Sequence, residues 1–205
     1  MNVKVLLAAL AGGALMFLRG FAAHMLLPLG EAGLSVLPYQ AELLPAVNSH
    51  VKEPGMYMFP WPETSPGTPL PKSDDARKKA GEMYKDSPSG LLIYHPPGGE
   101  MLTPRQLVTE FITNVVSSLI AACLVSQTLG SLAPFGKRVL FVTAIGLSAG
   151  IAVNVPQWNW YGFPSAFTLA AIVEHVIGFA LVGVVVAAII RPAAPAASAA
   201  STATA

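Results

Sequence analysis

Charge is scarce in this chain. Its 205 residues hold 12 Lys and Arg and 11 Asp and Glu, 11% in all, against about a quarter in ordinary soluble domains. A net charge of +1 leaves no basic surface for nucleic acid, so no nucleic-acid partner is expected. Cysteine is scarcer still. Cys123 stands alone, which excludes an intrachain disulfide framework and a cysteine-based zinc site. The sequence also lacks an HExxH pair, a phosphate-binding glycine loop, a dinucleotide-binding glycine pattern and a GxSxG nucleophile elbow. No residue is therefore assigned a catalytic or metal-binding role, no cofactor is expected, and the reading leans away from an enzyme.

What the chain has in quantity is apolar residues, 53% of the total, gathered into four runs. They cover residues 5–27, 107–132, 139–155 and 165–190, and end at or just before Pro28, Pro134, Pro156 and Pro192. About 20 apolar residues cross the hydrocarbon core as a helix, and proline ends helices by removing a backbone donor. Thr103-Pro104-Arg105-Gln106 offers an N-cap, a first-turn proline and a capping-box glutamine for the second run.

The fold class expected is an all-α integral membrane protein. It is a four-helix transmembrane bundle with a small proline-rich extracytoplasmic α+β cap between helices one and two. The divisions are residues 1–29 for the first helix, 30–103 for the cap, 104–191 for helices two to four and 192–205 for a disordered Ala-rich tail. Residues 1–22 have a competing reading as a cleaved signal peptide, because Lys4 precedes an apolar stretch. The apolar run resumes after Arg19, which favours an uncleaved helix.

Short loops set the orientation. Lys4, Lys137, Arg138 and Arg191 flank one set of helix ends, whereas residues 156–164 between runs three and four carry no charge. The positive-inside rule then places both termini in the cytoplasm and the cap outside, in the cell (plasma or inner) membrane. Within the cap, proline recurs from Pro38 to Pro104, which favours extended and looped chain. Ser73-Asp74-Asp75 reads as a helix start, and residues 56–59 and 91–94 read as short strands able to pair antiparallel. No internal repeat supports an inverted-repeat transporter.

Charge inside an apolar run is costly and faces protein or water. Arg19, Asn114 and Glu174 come out at about 12, 10 and 13 Å below the outer boundary, counting 1.5 Å per residue. They form, with His175, a candidate intramembrane polar cluster. Three readings compete for it: a buried Arg19–Glu174 pair fixing helix register, a proton or ion path through Glu174 and His175, and snorkelling of Arg19 to the headgroups. Glu110, Asn114 and Ser117 or Ser118 share one helical face. Gly146 and Gly150, with Asn154, form a small-residue face for helix packing, as Gly178 does beside Glu174. Trp158, Trp160, Tyr161 and Phe163 read as an interfacial aromatic loop, or as a docking surface for a quinone, lipid tail or partner helix. His24 and His175 are the histidines placed to bind haem or metal, but no ligand spacing supports that.

Three functions follow in order. The first is a non-catalytic accessory, assembly or scaffold protein of the membrane. The second is a proton- or ion-linked transporter subunit using Glu174 and His175. The third is a quinone- or haem-associated redox subunit. The expected partners are the lipid bilayer and a membrane protein or a second copy of the chain.

Overall fold

The computed structural model describes residues 2–62 and 72–192. The tail expected to be disordered lies outside them apart from Pro192, as do Pro66, Pro69 and Pro71 of the cap. Four helices are long and apolar enough to cross a membrane: Val3–Leu26, Pro104–Gln127, Phe135–Tyr161 and Ser165–Ile189. The remaining structure is short and lies mostly between the first and second of them.

Helix α1 (Val3–Phe21) starts at Asn2, whose side chain accepts the Lys4 N–H at 3.0 Å. It passes directly into a π-helical turn, Ala22–Leu26, closed by the Leu27 N–H on the Ala22 carbonyl at 3.1 Å. A 3-10 turn follows at Pro28–Glu31. Helix α2 (Gln40–His50) was not expected in so proline-rich a stretch, and it carries Pro45 inside it. The proline removes one helical bond, to Ala41, while its fixed φ suits the helix. The strands β1 (Gly55–Phe59) and β2 (Gly90–Tyr94) pair antiparallel, with Met56 opposite Ile93 and Met58 opposite Leu91. Between them runs α3 (Asp74–Asp86), whose N-cap Ser73 accepts the Ala76 N–H. Tyr94 OH donates to Asn48 Oδ1 at 2.9 Å and ties β2 to α2.

Helix α4 (Pro104–Gln127) opens with the full capping box, Thr103 and Gln106 each bonding the other's backbone. Helix α5 (Phe135–Tyr161) corrects the sequence reading at both ends. It begins four residues before the expected start and does not stop at Pro156, which lies inside it. Only the bond to the Ala152 carbonyl is lost at Pro156, and proline in long apolar helices is tolerated where neighbours or side chains cover the freed group. Trp158, Trp160 and Tyr161 are therefore last-turn helical residues, not loop residues. The helix ends at Gly162, whose positive φ of 71° favours glycine. Helix α6 (Ser165–Ile189) completes the fold.

Helix α6 is central: α5 packs along one side of it, α1 along another, and α1 in turn pairs closely with α4. Small residues set these distances. A Cβ on Gly13 would sit 2.6 Å from Val115 Cα, so α1 and α4 meet backbone to backbone. A Cβ on Gly146 would lie 2.5 Å from Phe179 Cβ and 2.8 Å from the His175 carbonyl, and one on Gly150 3.3 Å from Ile172 Cα. Gly146 and Gly150 thus face α6 within the chain, while Gly178 faces Met16 of α1.

The core lies toward the end that holds the N-terminus. Val5, Ala8, Ala121, Ala122, Val125, Val142, Val182, Val186 and Ile190 are buried in one cluster there. Small and β-branched side chains let four helices close tightly. Toward the capped end Met16, Phe17, Phe21 and Phe179 line a cavity between the helices.

Candidate functional site

That cavity, of about 720 Å³, lies between α1 with its π turn, α4 and α6, and is lined by Arg19, His24, Glu110, Asn114, Glu174 and His175 among apolar neighbours. Arg19 reaches it from the last turn of α1 and Glu174 from the third turn of α6, on helices of opposite direction. The Arg19 guanidinium nitrogen NH2 is 3.7 Å from Glu174 Oε2, and both side chains are 17% exposed. At that separation the contact is a charge pair and not a hydrogen bond. NH2 is buried and has no hydrogen-bond partner, so the carboxylate is what balances it.

The same carboxylate oxygen has a second partner. His24 Nε2 lies 3.3 Å from Glu174 Oε2. Sequence reasoning did not place His24 here. On a regular helix a residue five positions on is rotated by about 140° from the first, at 3.6 residues per turn. The π turn over Ala22–Leu26 widens the helix and brings His24 round to the side that Arg19 occupies. Such turns recur at functional sites, but nothing in the residues around His24 marks one.

The other two members of the expected cluster take different partners. Asn114 is buried, and its Nδ2 donates to Glu110 Oε1 at 3.1 Å along its own helix. His175 Nδ1 lies 2.8 Å from the Ala171 carbonyl, and its Cβ packs near Gly150. Neither is hydrogen-bonded to the Arg19–Glu174 pair. The reason is local: an acceptor four residues back on the same helix is within reach of each, the Glu110 carboxylate for Asn114 and the Ala171 carbonyl for His175. Ser118, from the same stripe, donates to the Ala8 carbonyl at 3.2 Å in the α1–α4 contact, below the cavity. Among the described residues no group of three His, Cys, Asp or Glu side chains is arranged to hold a metal ion.

The aromatic residues lie elsewhere. Trp160, Tyr161 and Phe163 line one wall of a second cleft, of about 500 Å³, whose other wall is Met58, Tyr84 and Leu91 of the cap. Trp158 Nε1 donates to Ser165 Oγ at 3.1 Å across the α5–α6 turn, and Phe163 meets Phe167 edge-on at 5.5 Å. The cap and the turn therefore face one another.

Arg138 was read as a loop cation, and the structure buries it to 3% exposure. Its guanidinium donates to the Leu132 carbonyl at 3.1 Å, to the Ala133 carbonyl, and to the Ala187 carbonyl at 3.2 Å. It thereby joins the α4–α5 loop to the last turn of α6, where helix carbonyls lack partners and a cation is favourable. Its sequence neighbours Lys137 and Val139 gave no sign of this.

Comparison with protein-family models, curated proteins and solved structures gives no match for this chain.

Proposed function

We propose that this chain is a multi-pass protein of the cell membrane that works by binding, as an accessory or scaffold component, and not by catalysis. In this reading all four long helices span, both termini are cytoplasmic, and the cap and cavity lie in the outer half. One observation carries it: the cavity is walled by apolar side chains, and most of its polar groups are engaged by one another. Glu174 faces Arg19 and His24, Asn114 bonds Glu110 and His175 bonds a backbone carbonyl. Paired groups of this kind fix geometry and present a shaped pocket. A nucleophile with an adjacent base is what acyl or phosphoryl chemistry would require.

The orientation rests on cations at one end. Lys4, Lys137 and Arg191 are exposed there, beside the buried cluster that joins the start of α1 to the end of α6. Cysteine labelling tests it. Gly81 on α3 and Gly136 at the start of α5 are exposed, and a side chain added at either meets nothing within 4 Å. In a Cys123→Ser background, Gly81→Cys is expected to react with a membrane-impermeant maleimide on intact cells, and Gly136→Cys only after permeabilisation. The reverse pattern contradicts the orientation, and equal labelling of both on intact cells contradicts spanning.

A second reading has one contact in its favour. His24 is titratable and shares the Glu174 oxygen with a permanent cation, which is the makings of a proton or ion path. Glu174→Gln separates the two, since a path would lose proton flux with the fold intact.

A further inference from the structure

Glu110 is the charge left over once the cavity's pairs are formed. Arg19 and Glu174 balance one another. The partner recorded for Glu110 is the neutral Asn114 amide at 3.1 Å, and among the described residues no Lys, Arg or His lies within salt-bridge distance of it. The lining holds two carboxylates, Glu110 and Glu174, against the one guanidinium of Arg19. Around these groups the walls are Phe17, Phe21, Phe179, Met16 and Met25. Ring faces carry negative electrostatic potential and attract cations. A volume of about 720 Å³ falls within the range of about 300–1,000 Å³ seen for sites of drug-sized ligands.

We propose that this cavity binds a lipophilic organic cation, an ammonium or other onium group on an apolar body, with the Glu110 carboxylate as its counter-ion. The proposal rests on the reading of the chain as a binding protein and names the ligand class of that site. An anion is disfavoured because the guanidinium that could receive it already faces Glu174, and its NH2 atom is buried. A small hydrated metal ion is disfavoured because aromatic and thioether walls do not replace its water shell. The onium group satisfies Glu110, while the rings and methionines cover the apolar body. Glu110 is exposed on α4, so the ligand reaches it without opening the Arg19–Glu174 pair.

The test uses the purified full chain in a neutral detergent with two ions of the same shape and opposite charge, tetraphenylphosphonium and tetraphenylborate. Binding is read by equilibrium dialysis against protein-free micelles. Saturable binding of the phosphonium and none of the borate is expected. Glu110→Gln keeps the Asn114 hydrogen bond and is expected to weaken phosphonium binding about fivefold, as loss of a close counter-charge at an exposed position requires. Equal binding of both ions, no saturable phosphonium binding by chain with a cooperative thermal transition, or undiminished binding by a folded Glu110→Gln would each overturn the proposal. The comparison of the two ions on the unaltered chain needs no variant to fold. It is also independent of the labelling experiment, so the ligand class can fail while the membrane topology stands, and the reverse.

Discussion

Replacing either Arg19 or Glu174 by leucine is expected to cost about 3–5 kcal/mol of stability, because each change strands the other charge in a poorly solvated site. The two side chains are only 17% exposed and Arg19 NH2 is buried with no hydrogen-bond partner, so a charge left behind is only partly solvated. The double replacement Arg19→Leu with Glu174→Leu removes both charges and is expected to recover most of the loss, since apolar substitutes for a buried pair are often neutral. Folded yield and thermal midpoint in mild detergent report all three variants. Additive losses would reject the contact. His24 supplies a further discrimination, because Arg19→Leu leaves Glu174 the imidazole at 3.3 Å, whereas Glu174→Leu leaves Arg19 without a counter-charge. Glu174→Leu should therefore be the more damaging of the two. Glu174→Gln separates a structural pair from a path. A register-fixing pair predicts reduced stability for the amide. An ion path predicts retained fold and a loss of proton flux in vesicles, because the amide cannot take up a proton.

The second large effect is expected at Arg138. Its guanidinium reaches three carbonyls, on Leu132, Ala133 and Ala187, with Phe135 beneath it at 6.0 Å from the ring centroid. Hydrogen bonds from a charged donor contribute about 1.5–3 kcal/mol each, and the contributions are not additive within one side chain. Arg138→Met keeps much of the volume and removes every donor, and a loss on the order of 3 kcal/mol is expected from the unsatisfied carbonyls. Arg138→Lys should recover only part of it, since a single ammonium cannot span the three acceptors that the planar fork meets. A thermal midpoint of Arg138→Met equal to that of the parent would mean the contacts contribute nothing. This residue also qualifies the charge asymmetry used for orientation. Of the four cations at that end, Arg138 is buried and acts through carbonyls, so the asymmetry of exposed charge rests on Lys4, Lys137 and Arg191.

Features written in local chemistry were legible before the structure. The Thr103–Gln106 capping box, the Ser73 N-cap and the strand pair β1–β2 each announce themselves within a few residues. Residue counting along two antiparallel helices puts Arg19 and Glu174 within reach of one another, and their charged atoms lie 3.7 Å apart. What was hidden depends on groups far apart in the chain or on small departures from regular helix. Pro156 reads as a stop, yet α5 continues to Tyr161 because its other backbone bonds and its packing on α6 outweigh one lost donor. His24 joins the cluster only through a π turn, which residue periodicity does not encode. Arg138 looks like any loop cation until the end of α6 is brought beside it. The α1–α4 contact at Gly12 and Gly13 was likewise unmarked, since paired glycines in an apolar run carry no address.

Both the ion pair and the cavity require α1 to stay in the chain and dock against α6. A cross-link between the two helices tests this most directly. A side chain on Gly178 would lie 3.6 Å from Met16 Cγ and 3.1 Å from Met16 Cε, so cysteines at the two positions are within bridging reach. Met16→Cys with Gly178→Cys, in the Cys123→Ser background, is expected to form an intrachain disulfide on mild oxidation, seen as loss of both free thiols and a reducible linked peptide in the mass spectrum. A mature chain beginning near Ala23, or both thiols remaining free after oxidation of folded protein, would contradict the account.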